Sequence, residues 1–224
     1  MIMDTHLTNE PARARTDIRG DGATVAGPGP DAHRAIRRAG IGLAAGTLVW
    51  AASIFAVGTT GGGMVGRIGD LAGLAFQLGV FCLLGAQLRT RALGVSRAAM
   101  VTLKVEMGLL GVASVWSLLH GVMPDAVQNA AWLGILDLFW PLSMLGMFAI
   151  SVKLAFAARW RGELRWWPLV AESWAVVTVP TFLLLGDEPS RWVGGGHLLI
   201  GYAALGVLLA RRPELTLPAG RDAR

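Results

Sequence analysis

The residues best placed to do chemistry are ionisable side chains set inside long apolar stretches. Lys104 and Glu106 share one stretch, Asp137 and Lys153 another, and Glu172 lies in a third, while His120 and His197 stand near the ends of two. A charge at bilayer depth costs about 2.5–3.5 kcal/mol on insertion scales, so such a residue is a functional candidate by default. Glu106 lies roughly 13 Å beyond Arg97 along a helix, too deep for a short carboxylate to reach water alone.

Depths follow from folding the chain about its turns. The turn near residue 162 levels Glu172 with Lys153, and the turn near residue 94 brings Glu106 to a comparable depth, with Cys82 across from it. The expectation is one polar layer of Glu106, Glu172 and Lys153, with a Lys153–Glu172 ion pair and a cavity open to the cytoplasm. The plainer alternative is that Lys104 and Lys153 snorkel to the headgroups on their long stems while Glu172 neutralises a nearby arginine. Asp137 precedes Pro141 by one turn, so charge and broken backbone share a face, as in the substrate helices of transporters. Gln77 and Thr178 are its expected partners. Pro141 and Pro180 each withhold a donor from the carbonyl four residues earlier, so both sites should face the bundle or water.

His120, His197 and Asp137 together suggest metal ligation. No HExxH pair supports it, and the three differ in depth; interfacial histidines serve more often as boundary residues. No cofactor is expected. Cys82 is the single cysteine, so neither a disulfide nor a thiolate site can be built. There is no GxxxxGK[ST], and no GxGxxG follows a strand.

The elements that must position these residues are read from composition. Of 224 residues, 54% are hydrophobic and only 16% charged, whereas a soluble fold has about a quarter charged. The net charge of +5 does not point to nucleic acid, because the arginines cluster beside apolar runs rather than on one basic face. The chain reads as an all-α integral membrane bundle of six transmembrane helices, spanning about 40–57, 70–88, 98–119, 130–156, 166–186 and 192–210. Each run approaches the roughly 20 residues needed to cross the hydrocarbon. Residues 1–36 form a polar, disordered N-terminal tail, 37–212 the membrane domain and 213–224 a short C-terminal tail. The polar leader is not a signal peptide.

Arg34, Arg37, Arg38, Arg89, Arg91, Arg97, Arg159, Arg161, Arg165, Arg211 and Arg212 fall on one side of an alternating topology, and only Arg67 and Arg191 on the other. The first side is therefore assigned to the cytoplasm, with both termini there and the plasma membrane as location. Trp160, Trp166 and Trp167 belong at the inner interface and Trp116, Trp132 and Trp192 at the outer, with Trp50, Trp140 and Trp174 packed inside. Gly42 with Gly46, Gly69 with Gly73, and Gly201 with Gly206 allow close helix packing. The composition, rich in Arg, Ala, Gly, Leu and Val, resembles GC-rich bacterial coding.

Three functions fit. A non-catalytic membrane subunit or accessory protein, partnered by lipid and by another membrane protein or a second copy, needs the fewest coincidences. A small transporter or proton-coupled permease would use Glu106, Asp137 and Glu172. A membrane-embedded enzyme acting on lipid would need a nucleophile or metal that no local motif supplies.

Overall fold

The computed structural model describes residues 30–58 and 61–217, and no strand occurs among them. The disordered tail expected over residues 1–36 lies outside the described residues up to position 29. From Pro30 the chain is already helical, with proline in the first turn, where no donor is missed, and Asp31 beside it.

Six helices are long and apolar enough to span a membrane: α1 Pro30–Val57, α2 Met64–Arg89, α3 Arg97–Val122, α4 Ala131–Ala157, α5 Trp167–Leu185 and α6 Asp187–Arg211. They start and stop where local chemistry allows. Gly63 enters α2 at φ 61°, a conformation that costs glycine little. The Ser96 hydroxyl accepts the Ala99 N–H at 3.2 Å and caps α3. Ala158 closes α4 in the left-handed region. A one-turn helix, Asp125–Gln128, lies between α3 and α4.

The tightest packing is made by α1 against α2 and α6. Glycine makes it possible. A Cβ on Gly46 would sit 2.3 Å from the Ala75 carbonyl oxygen, one on Gly42 2.9 Å from Cys82 Sγ, and one on Gly40 2.4 Å from the Gly206 carbonyl oxygen. The small-residue faces of α1 thus serve packing within this chain. Cys82 accordingly faces α1 and does not lie across from Glu106, as its depth alone suggested.

The last three spans are interrupted. α4 breaks at Leu138 into Ala131–Asp137 and Phe139–Ala157. Pro141 thereby sits in the first turn of a new segment, where its missing N–H is not needed, and it faces outward. α5 breaks at Ser173, between Trp167–Glu172 and Trp174–Leu185. Pro180 lies inside the second segment and also faces outward. The expectation that both prolines turn inward fails: a break absorbs the first, and α5 presents the second on its exposed side. α6 widens into a π-helical turn over Leu199–Ala203.

At the basic end Trp160 is fully buried and donates its indole N–H to Thr90 Oγ1 at 2.9 Å. It bolts two turns together and is no interfacial anchor. Trp132, Trp166 and Trp192 are about half exposed, as boundary residues would be.

Candidate functional site

The interrupted helices carry the site. Asp137 ends the first segment of α4, Glu172 ends the first segment of α5, and Tyr202 lies in the π turn of α6. Such irregularities free side chains and backbone from the regular ladder and recur at membrane binding sites.

Glu106 on α3 and Glu172 on α5 are both buried, at 2% and 3% exposure. Ser143 Oγ donates to Glu106 Oε1 at 2.6 Å. Gly146, almost one turn past Ser143, makes room for this carboxylate: a Cβ there would lie 2.0 Å from Glu106 Oε2. Tyr202 donates its hydroxyl to Glu172 Oε2 at 2.5 Å. Among the described residues, Glu172 Oε1 and Gln77 Oε1 have no hydrogen-bond partner.

Ser143, Glu172, Tyr202 and Gln77 line one small cavity of about 30 Å³. It has the room and the unpartnered acceptors to hold one water molecule, whose two protons suit the two free oxygens. Gln77 Nε2 donates to Ser117 Oγ at 3.0 Å. Ser117 in turn lines a second, larger cavity of about 410 Å³.

That larger cavity begins at the α1–α2 turn, at Gly58 and Gly61, and runs down to Trp140 and Trp174. Its mouth is at the end of the bundle opposite the basic turns. Asp70, His120, Asp137 and Ser53 also line it. Asp70 Oδ2 and His120 Nδ1 pair at 2.6 Å, and the His120 ring stacks on Trp116 at 4.9 Å. Trp50 is wedged between Trp140 and Trp174, 5.4 Å from each, and stacks on Phe76 at 4.7 Å. The far segment of α4 rests on α3 and that of α5 on α6, so the cavity occupies the gap between them.

Glu106 and Glu172, expected at one depth, meet the small cavity, Glu172 directly and Glu106 through Ser143. Lys153, expected in the same layer, does not join them. Lys153 faces outward, makes no ion pair with Glu172, and leaves that carboxylate to Tyr202. Lys104 faces outward as well. Asp137 reaches the large cavity but hydrogen-bonds neither expected partner: Gln77 is held by Ser117, and Thr178 Oγ1 has no partner. The open space lies toward the non-basic end, opposite to the expected direction.

The metal ligands suggested by type do not assemble. His197 sits between α5 and α6, away from the cavity, and no group of three His, Cys, Asp or Glu able to hold a metal occurs among the described residues. His197 Nε2 contacts the Val170 carbonyl at 2.9 Å and Ser173 Oγ at 3.3 Å. A carbonyl only accepts, so Nε2 carries the proton and cannot act as a base on Ser173. Ser173 donates to Val170 itself. This Ser–His contact is a helix-break clasp rather than an activated nucleophile.

Asp70, Ser117 and Tyr202 were not among the candidates, and Gln77 was expected only as a partner of Asp137. The first two were legible: Asp70, Gly73 and Gln77 recur at helical spacing along α2, as Glu106, Ala113, Ser117 and His120 do along α3. α2 begins at Met64, earlier than the span of 70–88 that hydropathy alone suggests, which carries Asp70 inside the helix. No protein-family model matches the chain, and no curated protein or solved structure does.

Proposed function

We propose that this protein is a small proton-coupled carrier, in which a solute enters the large cavity and Glu106 and Glu172 take up and release the coupling proton. The observation that supports this most is the polar line through the bundle. It runs from Asp70, His120 and Asp137 in the large cavity, by Ser117 and Gln77, to Ser143–Glu106 and Tyr202–Glu172. A stable subunit has no need of two buried carboxyl groups beside a water-sized space, and an ionisable group at bilayer depth carries a folding cost that function can justify. Convergence of these groups therefore favours a carrier over the accessory role that the sequence alone made simplest. An enzyme acting on lipid has less support, because His120 and Asp70 pair beside the cavity and, among the described residues, no hydroxyl or thiol nucleophile is in hydrogen-bond contact with the imidazole.

The basic turns belong to the cytoplasm by the positive-inside rule, which puts both termini there, the cavity mouth outside and the chain in the plasma membrane. One observation keeps a partner in view. Pro180 frees the Val176 carbonyl on the exposed side of α5, where a neighbouring helix would cover it.

The test is reconstitution of the full chain into proteoliposomes containing a pH-sensitive dye, challenged with amines, amino acids, sugars and carboxylates in turn. The expected result is solute-driven proton movement that Glu106→Gln and Glu172→Gln each abolish. Proton silence with every solute, together with copurification of a stoichiometric membrane partner, would return the protein to the accessory class.

A further inference from the structure

We infer that the large cavity binds a compact organic cation, a protonated amine or quaternary ammonium ion, with Asp137 as its counter-ion and tryptophan faces around its apolar body. The inference names the solute class of the carrier proposed above and rests on that reading.

Charge selects the sign. Asp70 is engaged by His120, whereas Asp137 has neither a salt bridge nor a hydrogen bond among the described residues. Among the described residues no lysine or arginine lines the cavity; the nearest arginine in sequence to Asp70, Arg67, is held by Asp125 at 2.8 Å. The space therefore carries net negative character in a low-dielectric wall, which favours a cation and repels an anion.

The wall selects an organic cation over an inorganic one. Hard metal ions require six or more oxygen ligands at fixed short distances. Here no group of three His, Cys, Asp or Glu able to hold a metal occurs among the described residues, and four tryptophans, Trp50, Trp116, Trp140 and Trp174, line the space. Indole faces attract ammonium groups through the ring quadrupole, more strongly where water is excluded. These rings are held by their neighbours: Trp174 Nε1 donates to the Gly194 carbonyl at 2.9 Å, and Trp50 is stacked on Phe76. The cavity of about 410 Å³ is of ligand size. Ser53 Oγ, more than nine-tenths buried and unpartnered, lies in its wall and offers an acceptor to an ammonium N–H.

The test titrates the full chain in detergent micelles by calorimetry with tetraethylammonium and with 2-phenylethylammonium, using 2-phenylethanol and benzoate as neutral and anionic comparators. Both cations should bind saturably and both comparators should not. Asp137→Asn should weaken cation binding about tenfold, the magnitude of one partly desolvated charge contact. Trp140→Leu, which keeps apolar bulk and removes the ring, should weaken it in the same direction. The second variant keeps the test decisive if the first unfolds. Equal binding of 2-phenylethanol or benzoate, no binding of either cation, or unchanged affinity in a folded variant would overturn the inference. Proton movement in liposomes with a non-cationic solute would sink the cation and keep the carrier; cation binding without proton movement would do the reverse.

Discussion

Glu172 shows how a buried acid is held in this bundle and what it would cost to disturb it. One oxygen accepts the Tyr202 hydroxyl and the other faces the small cavity without a protein partner. Tyr202→Phe leaves the ring and its edge contact with Phe76, 4.9 Å between centroids, and deletes only the donor. A buried acceptor stripped of its partner costs about 1–3 kcal/mol. The expected outcome is a lower unfolding temperature in detergent for Tyr202→Phe, and much less effect of the same change in a Glu172→Leu background. Additive effects in that double-mutant cycle would mean that the hydroxyl stabilises the bundle through something other than the carboxyl group. Residue type and spacing made Glu106 and Glu172 visible as candidates, because a carboxylate amid leucines stands out at any rotation. Tyr202 was invisible, since nothing in its neighbours signals the π turn that aims it at Glu172. Lys153 was misplaced because equal depth says nothing about which face of a helix a side chain takes.

The spans themselves were the most legible feature, because crossing hydrocarbon imposes length and hydropathy at once. Their interruptions were only half legible. Pro141 marked trouble in α4, but the helix answers it by ending at Leu138 rather than by kinking inward. The break in α5 at Ser173 has no proline or glycine at it, and its serine hydroxyl and His197 close over the Val170 carbonyl instead. Packing of α1 on α2 was foreshadowed by Gly42 and Gly46, and here a firm expectation follows. A side chain at position 46 meets backbone: the new Cβ would lie 2.3 Å from the Ala75 carbonyl oxygen and 3.1 Å from its carbon. Backbone cannot rotate away as a side-chain tip can, so α1 and α2 must separate. Gly46→Val should destabilise by about 1–3 kcal/mol, the usual cost of overpacking. Gly134→Ala, where an added Cβ meets nothing within 4 Å, should be close to neutral in the same thermal unfolding assay. Equal loss in both would show that contact with the α2 backbone is not what sets the cost at position 46, since both changes raise helix propensity.

Across the whole bundle the two ends differ in how their arginines are engaged. At the sparse end Arg67 pairs with Asp125 at 2.8 Å, and Arg191 donates to the Ile54 carbonyl at 3.1 Å and to that of Phe55, at the end of α1. Both charges are spent on local structure. At the crowded end several arginines cap turns, as Arg161 does on the carbonyls of Glu214 and Leu217, while Arg34, Arg38, Arg89 and Arg97 make no such clasp to a carbonyl among the described residues. Positive charge is concentrated at the crowded end by the placement of the arginines along the chain, and the large cavity opens at the other end. Orientation of the chain and the side on which the large cavity opens are thus one question. A Cys82→Ser background carrying either Asp187→Cys or Glu214→Cys places a single thiol at an exposed position at each end. In right-side-out membrane vesicles a membrane-impermeant maleimide should modify Asp187→Cys at once and Glu214→Cys only after permeabilisation. The opposite pattern would put the basic turns outside, turn the cavity mouth toward the cytoplasm, and make any coupled movement through the Glu106–Glu172 centre start from within the cell.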